Sequence, residues 1–319
     1  MSSTRVGKPT ITVFRLAALF TLLAVAMGSV VCATESGFEC GNWPGCTDSA
    51  LLPSGQVAGF FYRNPWIEMV HRVSAILAGP LALAAGILVA RLRGVHPLAR
   101  LLPWVTVAGA IVAGTFGRLA VLGLPIPAWG GAVDLASALI AMGAMVVATI
   151  ALERTPAAWF PTPAGSLAWL GLGLVVAMHL VSLFAAGPGS YTRCLSWPVW
   201  DLIAADHAAS GTLQIVRLGL GVVAAAAIIA TVVRALGQPG LRGPAITCAG
   251  LLGLVILLGL IIRMTGSDDL GVVFSLATVG LLWTLTLLGA QASLESVPGD
   301  NGPRLEASTA AEPSAGTAS

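Results

Sequence analysis

The chain has 319 residues, of which 56% are hydrophobic and only 9% are charged. A soluble surface needs roughly 25–35% charged residues, so this composition excludes a soluble enzyme, a disordered chain and a nucleic-acid-binding protein. The formal net charge of +2 says little about partners, because the placement of charges in a membrane protein matters more than their sum. The composition predicts an all-α integral membrane protein.

Eight apolar runs are each long enough to cross a bilayer core about 30 Å thick, which requires about 20 residues per helix. Backbone groups in lipid must form their hydrogen bonds within the segment, so each run is predicted to be a transmembrane helix. The runs cover residues 12–33, 67–90, 101–122, 132–152, 166–187, 203–231, 244–263 and 271–291.

Charge placement predicts the orientation of these helices, because cytoplasmic loops carry an excess of Lys and Arg. Basic residues precede the first run and follow the second, fourth and sixth runs, whereas the opposite loops are mostly acidic. We therefore expect a multi-pass protein of a bacterial plasma membrane with both termini cytoplasmic. Residues 1–11 form the cytoplasmic N-terminus, and residues 292–319, rich in Ser, Ala, Gly, Pro and Glu, are predicted to be a disordered cytoplasmic tail.

The sequence contains an internal repeat. The pattern C-x-x-W-P occurs after the first run, at residues 40–44, and again after the fifth run, at residues 194–198. His71 and His207 stand early in the second and sixth runs. The chain is therefore predicted to form two pseudo-symmetric four-helix bundles, with sites inside or between them. The halves cover residues 12–152, with a long outer loop at 34–66, and residues 166–291.

Glu68 and His71 are the clearest candidates for chemistry. They are three residues apart and therefore share one face of the second helix, near the outer surface. A histidine there is able to ligate haem iron, and a carboxylate beside it orients the ring or moves protons. The alternative is that Glu68 complements the helix N-terminus and that Arg72 snorkels towards water. Ionisable groups inside a membrane usually mark function, which favours the first interpretation.

The other histidines carry weaker signals. His207, which follows Asp206, gains weight as a ligand from its repeat relation to His71. His179 has no counterpart in the first half and is interpreted as a packing or hydrogen-bonding residue. His96 stands in a cytoplasmic loop beside arginines and is predicted to be solvated.

Several charged residues lie near the ends of the runs. Asp134 opens the fourth run, and an N-cap or first-turn role is slightly favoured for it. Arg118 and Arg263 lie near the outer ends of the third and seventh runs, where haem propionates and interfacial water are equally good partners. Arg217 is ten residues past His207, or about 15 Å along a helix axis. It is predicted to lie near mid-membrane and to pair with an unidentified group.

The outer side of the membrane permits disulfides. Cys40 and Cys46 are six positions apart in the outer loop and form the leading pair, while Cys32 and Cys194 leave other pairings open. Cys248, inside the seventh run, is predicted to be a packing residue. No histidine accompanies the outer cysteines at zinc-ligand spacing, which disfavours a zinc site.

Two motifs resemble those of the haem A synthase family of membrane haem hydroxylases. Residues 34–46 read T-E-S-G-F-E-C-G-N-W-P-G-C and match the family pattern T-x-S-G-x-x-C-x-x-W-P-x-C, and residues 68–72 match E-x-x-H-R. The resemblance covers residues 12–291 and implies two four-helix halves related by a pseudo-two-fold axis. It also implies the oxidation of a haem O methyl group to a formyl group, which gives haem A for cytochrome oxidase assembly.

The resemblance also implies haem b as a cofactor, haem O as the substrate, and haem O synthase and oxidase assembly factors as partners. It assigns the role of catalytic acid to Glu68 and the role of iron ligand to His71 and His207. It also implies an outer disulfide between Cys40 and Cys46. Candidate haem contacts are Arg72, Arg118, Asp134 and Arg263.

The chain departs from the family pattern at two further histidine positions. The fourth helix reads Val133-Asp134-Leu135 where V-H-L is expected, and the eighth has Val273-Phe274-Ser275 at the place of a histidine. Each half therefore keeps one imidazole, which suits five-coordinate iron rather than the six-coordinate iron of electron-transfer haems. Asp134 is able to supply an oxygen ligand, whereas Phe274 is not.

Three functions stay open from the sequence. The first is a haem-modifying oxidoreductase of the haem A synthase type. The second is a non-catalytic haem-binding paralogue that assists oxidase assembly, as the missing histidines suggest. The third is the membrane subunit of a transporter, because repeats and intramembrane charge are also typical of transporters, although the chain contains no P-loop pattern. Homo-oligomerisation is left open.

Overall fold

The computed structural model describes residues 6–53, 59, 62–154, 157–160, 162–185, 194–197, 211–265 and 270–296. Within these residues the chain forms eight helices that are long and apolar enough to cross a membrane, which confirms the predicted fold class. They are α1 (Lys8–Ala33), α2 (Pro65–Ala90), α3 (Pro97–Val121), α4 (Ala128–Glu153), α5 (Pro163–Ala185), α6 (Gly211–Leu236), α7 (Arg242–Thr265) and α8 (Gly271–Ser293). Two three-residue strands, β1 (Ala157–Trp159) and β2 (Leu294–Ser296), pair antiparallel.

Proline marks the first residue of α2, α3 and α5, where its missing N–H costs no helical hydrogen bond. The side chain of Asn64 accepts a hydrogen bond from the Trp66 N–H at 2.9 Å and caps α2. These two signals start α2 at Pro65, two residues before the predicted run. Glu68 and His71 consequently lie in the first two turns of α2, at the end that the charge pattern predicts to face outwards and that keeps the name outer end.

The two halves have the same order of helix neighbours. α1 and α3 each pack against α2 and α4, and α5 and α7 each pack against α6 and α8. Contacts of α4 with α5 and α8, and of α1 with α8, join the halves. Of the most apolar 18 residues of α4 and of α8, 67% are buried, against 6% in α3, so α4 and α8 form the centre of the described bundle. The pseudo-two-fold relation itself stays a prediction.

The C-terminal end of α8 is more ordered than the sequence predicts. The tail was expected to begin at residue 292, but α8 runs to Ser293 and β2 follows it. Arg154 explains the difference, because its Nη1 donates to the backbone carbonyls of Gln291 and Leu294 at 2.7 Å each. Residues 297–319 of the predicted tail lie outside the described residues.

The sixth helix ends later than predicted, at Leu236 rather than at residue 231. Its predicted first residues, 203–210, lie outside the described residues, and His207 is among them. The structure therefore leaves the predicted role of His207 untested.

Two disulfides lie at the outer end of the molecule. The predicted Cys40–Cys46 bridge is present. A second bridge joins Cys32, at the end of α1, to Cys194 in the second C-x-x-W-P segment, which settles a pairing that the sequence left open. This second bridge links the two halves covalently. Cys248 is buried and has a free thiol, as predicted.

Replacing Cys32 with serine is expected to lower the midpoint of thermal unfolding of the detergent-solubilised protein by several degrees. The bridge spans a sequence separation of 162 residues, and disulfides typically stabilise by about 2–4 kcal/mol. The measurement is thermal unfolding without reductant, with Cys194→Ser as the matched variant, which breaks the same bridge from its other end and is expected to lower the midpoint equally. An unchanged midpoint in Cys32→Ser would show that the bridge does not stabilise the fold.

His96 is partly exposed and caps α3. Its Nδ1 accepts a hydrogen bond from the Leu98 N–H at 3.1 Å, which satisfies one of the unpaired donors of the first helical turn. Acceptance at Nδ1 requires the neutral ring. Burial lowers the pKa of His96 below its ordinary value.

Acidification is expected to weaken this cap. Because the pKa of His96 is lower in the folded chain, the unfolded chain binds more protons as the pH falls through about 6.5. The stabilisation that the His96 cap gives to the folded chain is therefore complete above that pH and is lost below it. Thermal unfolding followed from about pH 8 to 5 tests this, with His96→Asn as a cap that does not titrate. The same pH dependence in both proteins would contradict the prediction.

Candidate functional site

A buried ion pair folds the first C-x-x-W-P segment onto the outer end of α2. Glu68 is 2% exposed and Arg72 is 6% exposed. The Nη2 of Arg72 donates to Glu68 Oε1 and to the Cys40 carbonyl, and its Nη1 donates to the carbonyls of Asn42 and Gly45. Glu68 Oε2 accepts the Cys40 N–H at 2.9 Å. Both buried charges thus have hydrogen-bond partners, which offset the cost of removing them from water. The same hydrogen bonds fix the loop against α2.

The same loop is packed from two other directions. The Cys40–Cys46 bridge is buried against Met69 of α2. The guanidinium of Arg118, in the last turn of α3, lies 5.1 Å from the centre of the Trp43 ring, a cation–π contact. The structure therefore places Arg118 beside the outer loop and brings α2, α3 and the loop together at one outer corner.

His71 is held by α1. Its Nδ1 lies 3.0 Å from the Ala24 carbonyl oxygen, which is an acceptor only, so Nδ1 carries the hydrogen. Nε2 therefore keeps its lone pair, the arrangement typical of a metal-binding histidine. Gly28 leaves room for the ring, because a Cβ there would lie 3.1 Å from His71 Cε1. The described residues thus suit an imidazole that ligates iron through Nε2.

Asp134 is neither an N-cap nor a first-turn residue, contrary to the expectation from the sequence. α4 begins at Ala128, four residues before the predicted run, which places Asp134 in the second turn. It lines a cavity of about 290 Å³ between α3, α4 and α5, whose other walls include Phe116 and Leu183. His71 does not line this cavity, so the two candidate ligands do not share it.

Arg217 holds the second C-x-x-W-P segment. The guanidinium is completely buried, and its Nη2 donates to both the carbonyl and the hydroxyl oxygen of Ser196 at 3.0 Å. Ser196 precedes Trp197 as Asn42 precedes Trp43. This contact places Arg217 against the second C-x-x-W-P segment and supplies a partner that the sequence did not reveal. The predicted depth of Arg217 in the membrane stays a prediction.

Two of the predicted site residues cannot be placed. His207 and the side chain of Arg263 lie outside the described residues. Within the part of the chain that the structure describes, no three His, Cys, Asp or Glu side chains form a group that could hold a metal ion. Sequence reasoning missed the loop-holding roles of Arg72 and Arg217, because their acceptors are mostly backbone carbonyls. The repeated C-x-x-W-P pattern was the available signal.

Replacing Glu68 with glutamine is expected to destabilise the protein by about 3–5 kcal/mol, because breaking one member of a buried pair leaves the other charge uncompensated. The matched control is Glu35→Gln, which breaks the Glu35–Arg63 ion pair. The two charged groups of that pair are 3.3 Å apart, and the side chains are 55% and 54% exposed. Exposed ion pairs contribute little to stability. Thermal unfolding in detergent is the measurement. Equal midpoints for the two variants would contradict the prediction.

Comparison with known proteins gives three bacterial relatives. Heme A synthase of Symbiobacterium thermophilum is 30% identical over 189 residues, which cover 56% of this chain and 59% of the relative. Heme A synthase of a Methylobacterium species is 30% identical over 136 residues, or 40% of this chain and 36% of the relative. Protoheme IX farnesyltransferase of Chloroflexus aurantiacus is 26% identical over 313 residues, or 87% of this chain and 46% of the relative.

These matches show a distant relationship and no more than that. No family profile matches the chain, and the matched segments span only about half of the length of the curated relatives. The chain is a multi-pass membrane protein, distantly related to proteins named Heme A synthase.

Proposed function

We propose that the chain is a membrane haem-modifying oxidoreductase resembling haem A synthase, which oxidises a methyl group of haem O to a formyl group and supports cytochrome oxidase assembly. The observation that carries the proposal is His71, whose Nδ1 is fixed by the Ala24 carbonyl beside a buried, charged and disulfide-bridged outer corner. Two relatives named Heme A synthase support this choice over a transporter subunit. The third relative, Protoheme IX farnesyltransferase, is also named for a haem substrate.

The first half has residues that suit a haem. His71 would bind the iron through Nε2, and Gly28 leaves space on α1 for the imidazole ring of His71. Arg118, at the outer end of α3, is the cation available to a propionate, and it would exchange its contact with Trp43 for that ion pair. When bound, the iron porphyrin supplies the one-electron and oxygen chemistry that amino acids lack.

Glu68 enters the proposal as the carboxylate one helical turn from His71. One of its oxygens is occupied by Arg72 and the other by the Cys40 N–H, so its first task is to hold the outer loop against α2. A direct role as the catalytic acid requires that one of these contacts opens. Haem b, haem O, haem O synthase and the assembly factors belong to the proposal on the resemblance alone.

A second candidate function is a non-catalytic haem-binding paralogue that assists oxidase assembly. It is favoured by Asp134, which stands where the family pattern has a histidine and lines a cavity that His71 does not line. The two candidates share the haem at His71 and differ in the product: only the oxidoreductase forms haem A.

Expression of the chain together with a haem O synthase, in a host that makes no haem A, tests the proposal. The wild type is expected to yield haem A on extraction, and His71→Ala to lower that yield about 10-fold or more, since metal-site changes cost at least that much. His96→Asn, at the cytoplasmic end of α3, is the matched control. Purified protein that binds haem but forms no haem A would favour the paralogue, and protein that binds no haem would contradict both functions.

A further inference from the structure

A carboxylate lies in the wall of an apolar cavity between α3, α4 and α5. The cavity has a volume of about 290 Å³, and the described residues of its wall other than Asp134 are apolar. Asp134 is half-buried, and among the described residues no group forms a hydrogen bond or an ion pair with its carboxylate. Removing a charge from water is costly when nothing replaces the lost hydration. The carboxylate is therefore placed to accept a hydrogen bond from a ligand in the cavity.

An aromatic side chain and a glycine border this cavity. Phe116 of α3 lies against α4, because a Cβ at Gly130 would be 3.1 Å from Phe116 Cε1. The Phe116 ring also meets the Trp129 ring edge to face, with 6.3 Å between the ring centroids. Gly131 lines the cavity, and a Cβ there would meet no atom within 4 Å. The space beside Gly131 is thus open, and the Phe116 ring that borders it is held by its neighbours.

The size and the lining of the cavity indicate the class of ligand. An apolar cavity of about 150 Å³ accommodates benzene, so a cavity of about 290 Å³ has room for a substituted aromatic ring. Pockets of this kind bind a ligand through apolar walls and orient it through a few polar groups. An ionised carboxylate accepts hydrogen bonds and donates none, so the ligand must carry a donor. A hydroquinone with an apolar tail, or quinol, combines an aromatic ring with hydroxyl donors and dissolves in the bilayer.

The proposed function consumes a reductant of this kind. Each oxygenation of a methyl carbon by dioxygen uses two electrons and two protons, because one oxygen atom enters the substrate and the other leaves as water. A quinol supplies both electrons and both protons and becomes a quinone. A second oxygenation of the same carbon uses a second dioxygen and a second quinol, and it gives the formyl group and two further molecules of water. Turnover therefore requires an electron donor that is replaced after each cycle.

We propose that the cavity between α3, α4 and α5 binds a membrane quinol as the electron donor, and that Asp134 accepts a hydrogen bond from one of its hydroxyl groups. This role rests on the proposed function, because the oxidation of the haem methyl group is what consumes the electrons. The quinol ring packs against Phe116 beside the open position at Gly131. Arg118, two residues after Phe116 on α3, contacts Trp43 of the outer loop. The last turns of α3 therefore border both the cavity and the outer corner formed by α2, α3 and the loop.

The test is the binding of decylubiquinol, a quinol with a short apolar tail, to the full chain in phosphatidylcholine nanodiscs. Isothermal titration calorimetry is the measurement, with empty nanodiscs as the background. We expect saturable binding to the wild type and a dissociation constant raised about 10-fold or more in Asp134→Leu, because hydrogen bonds to charged groups are the stronger ones. Gly131→Leu is expected to abolish saturable binding, because the added side chain fills the cavity.

The matched control is Gly114→Leu. It adds the same side chain to α3 at a position where a Cβ also meets no atom within 4 Å and that does not line the cavity, so it is expected to bind as the wild type does. Formation of the Cys32–Cys194 bridge and a single size-exclusion peak show that each variant is folded, and Asp134→Leu carries the test if Gly131→Leu does not fold.

The outcomes separate this site from the proposed function. No saturable binding to the wild type, or equal binding by the wild type and by the folded cavity variants, would overturn the inference. Binding of decylamine that depends on Asp134, without binding of decylubiquinol, would show a cation site and overturn it as well. Formation of haem A by a protein that binds no decylubiquinol would overturn the inference and leave the proposed function intact. Cavity-dependent quinol binding by a protein that forms no haem A would support the quinol site and contradict the proposed function.

Discussion

Two buried arginines determine how the outer end of the molecule is built. Arg72 is 6% exposed and Arg217 is fully buried, and a charge in that position is costly unless its donors are satisfied. Both guanidinium groups donate to backbone carbonyls of a C-x-x-W-P segment. Each segment therefore supplies acceptors that its buried guanidinium needs.

The two loops are secured by different covalent links. The first has the local Cys40–Cys46 bridge, whereas the second is tied through Cys194 to Cys32 at the end of α1. α1 also supplies the Ala24 carbonyl that orients His71. The long-range bridge therefore joins the second outer loop covalently to the helix that orients the imidazole of the first half.

The sequence was sufficient for features that depend on length and local pattern. The eight helices follow from the bilayer thickness, and the Cys40–Cys46 bridge follows from two close cysteines in one outer loop. The loop-holding role of Arg72 and the partner of Arg217 were not predictable, because most of the acceptors are backbone carbonyls, which every residue carries. Asp134 was misplaced for a related reason: a shift of four residues in the start of α4 moves a side chain from the cap to the second turn.

The first half divides two tasks between consecutive residues of α2, since His71 is hydrogen-bonded to α1 and Arg72 holds the outer loop. In the second half Arg217 of α6 holds the second C-x-x-W-P segment through Ser196. Because a buried guanidinium needs acceptors for its donors, the position of each segment is tied to the helix that carries the arginine. The outer end of each half is therefore arranged around the arginine whose donors its loop satisfies.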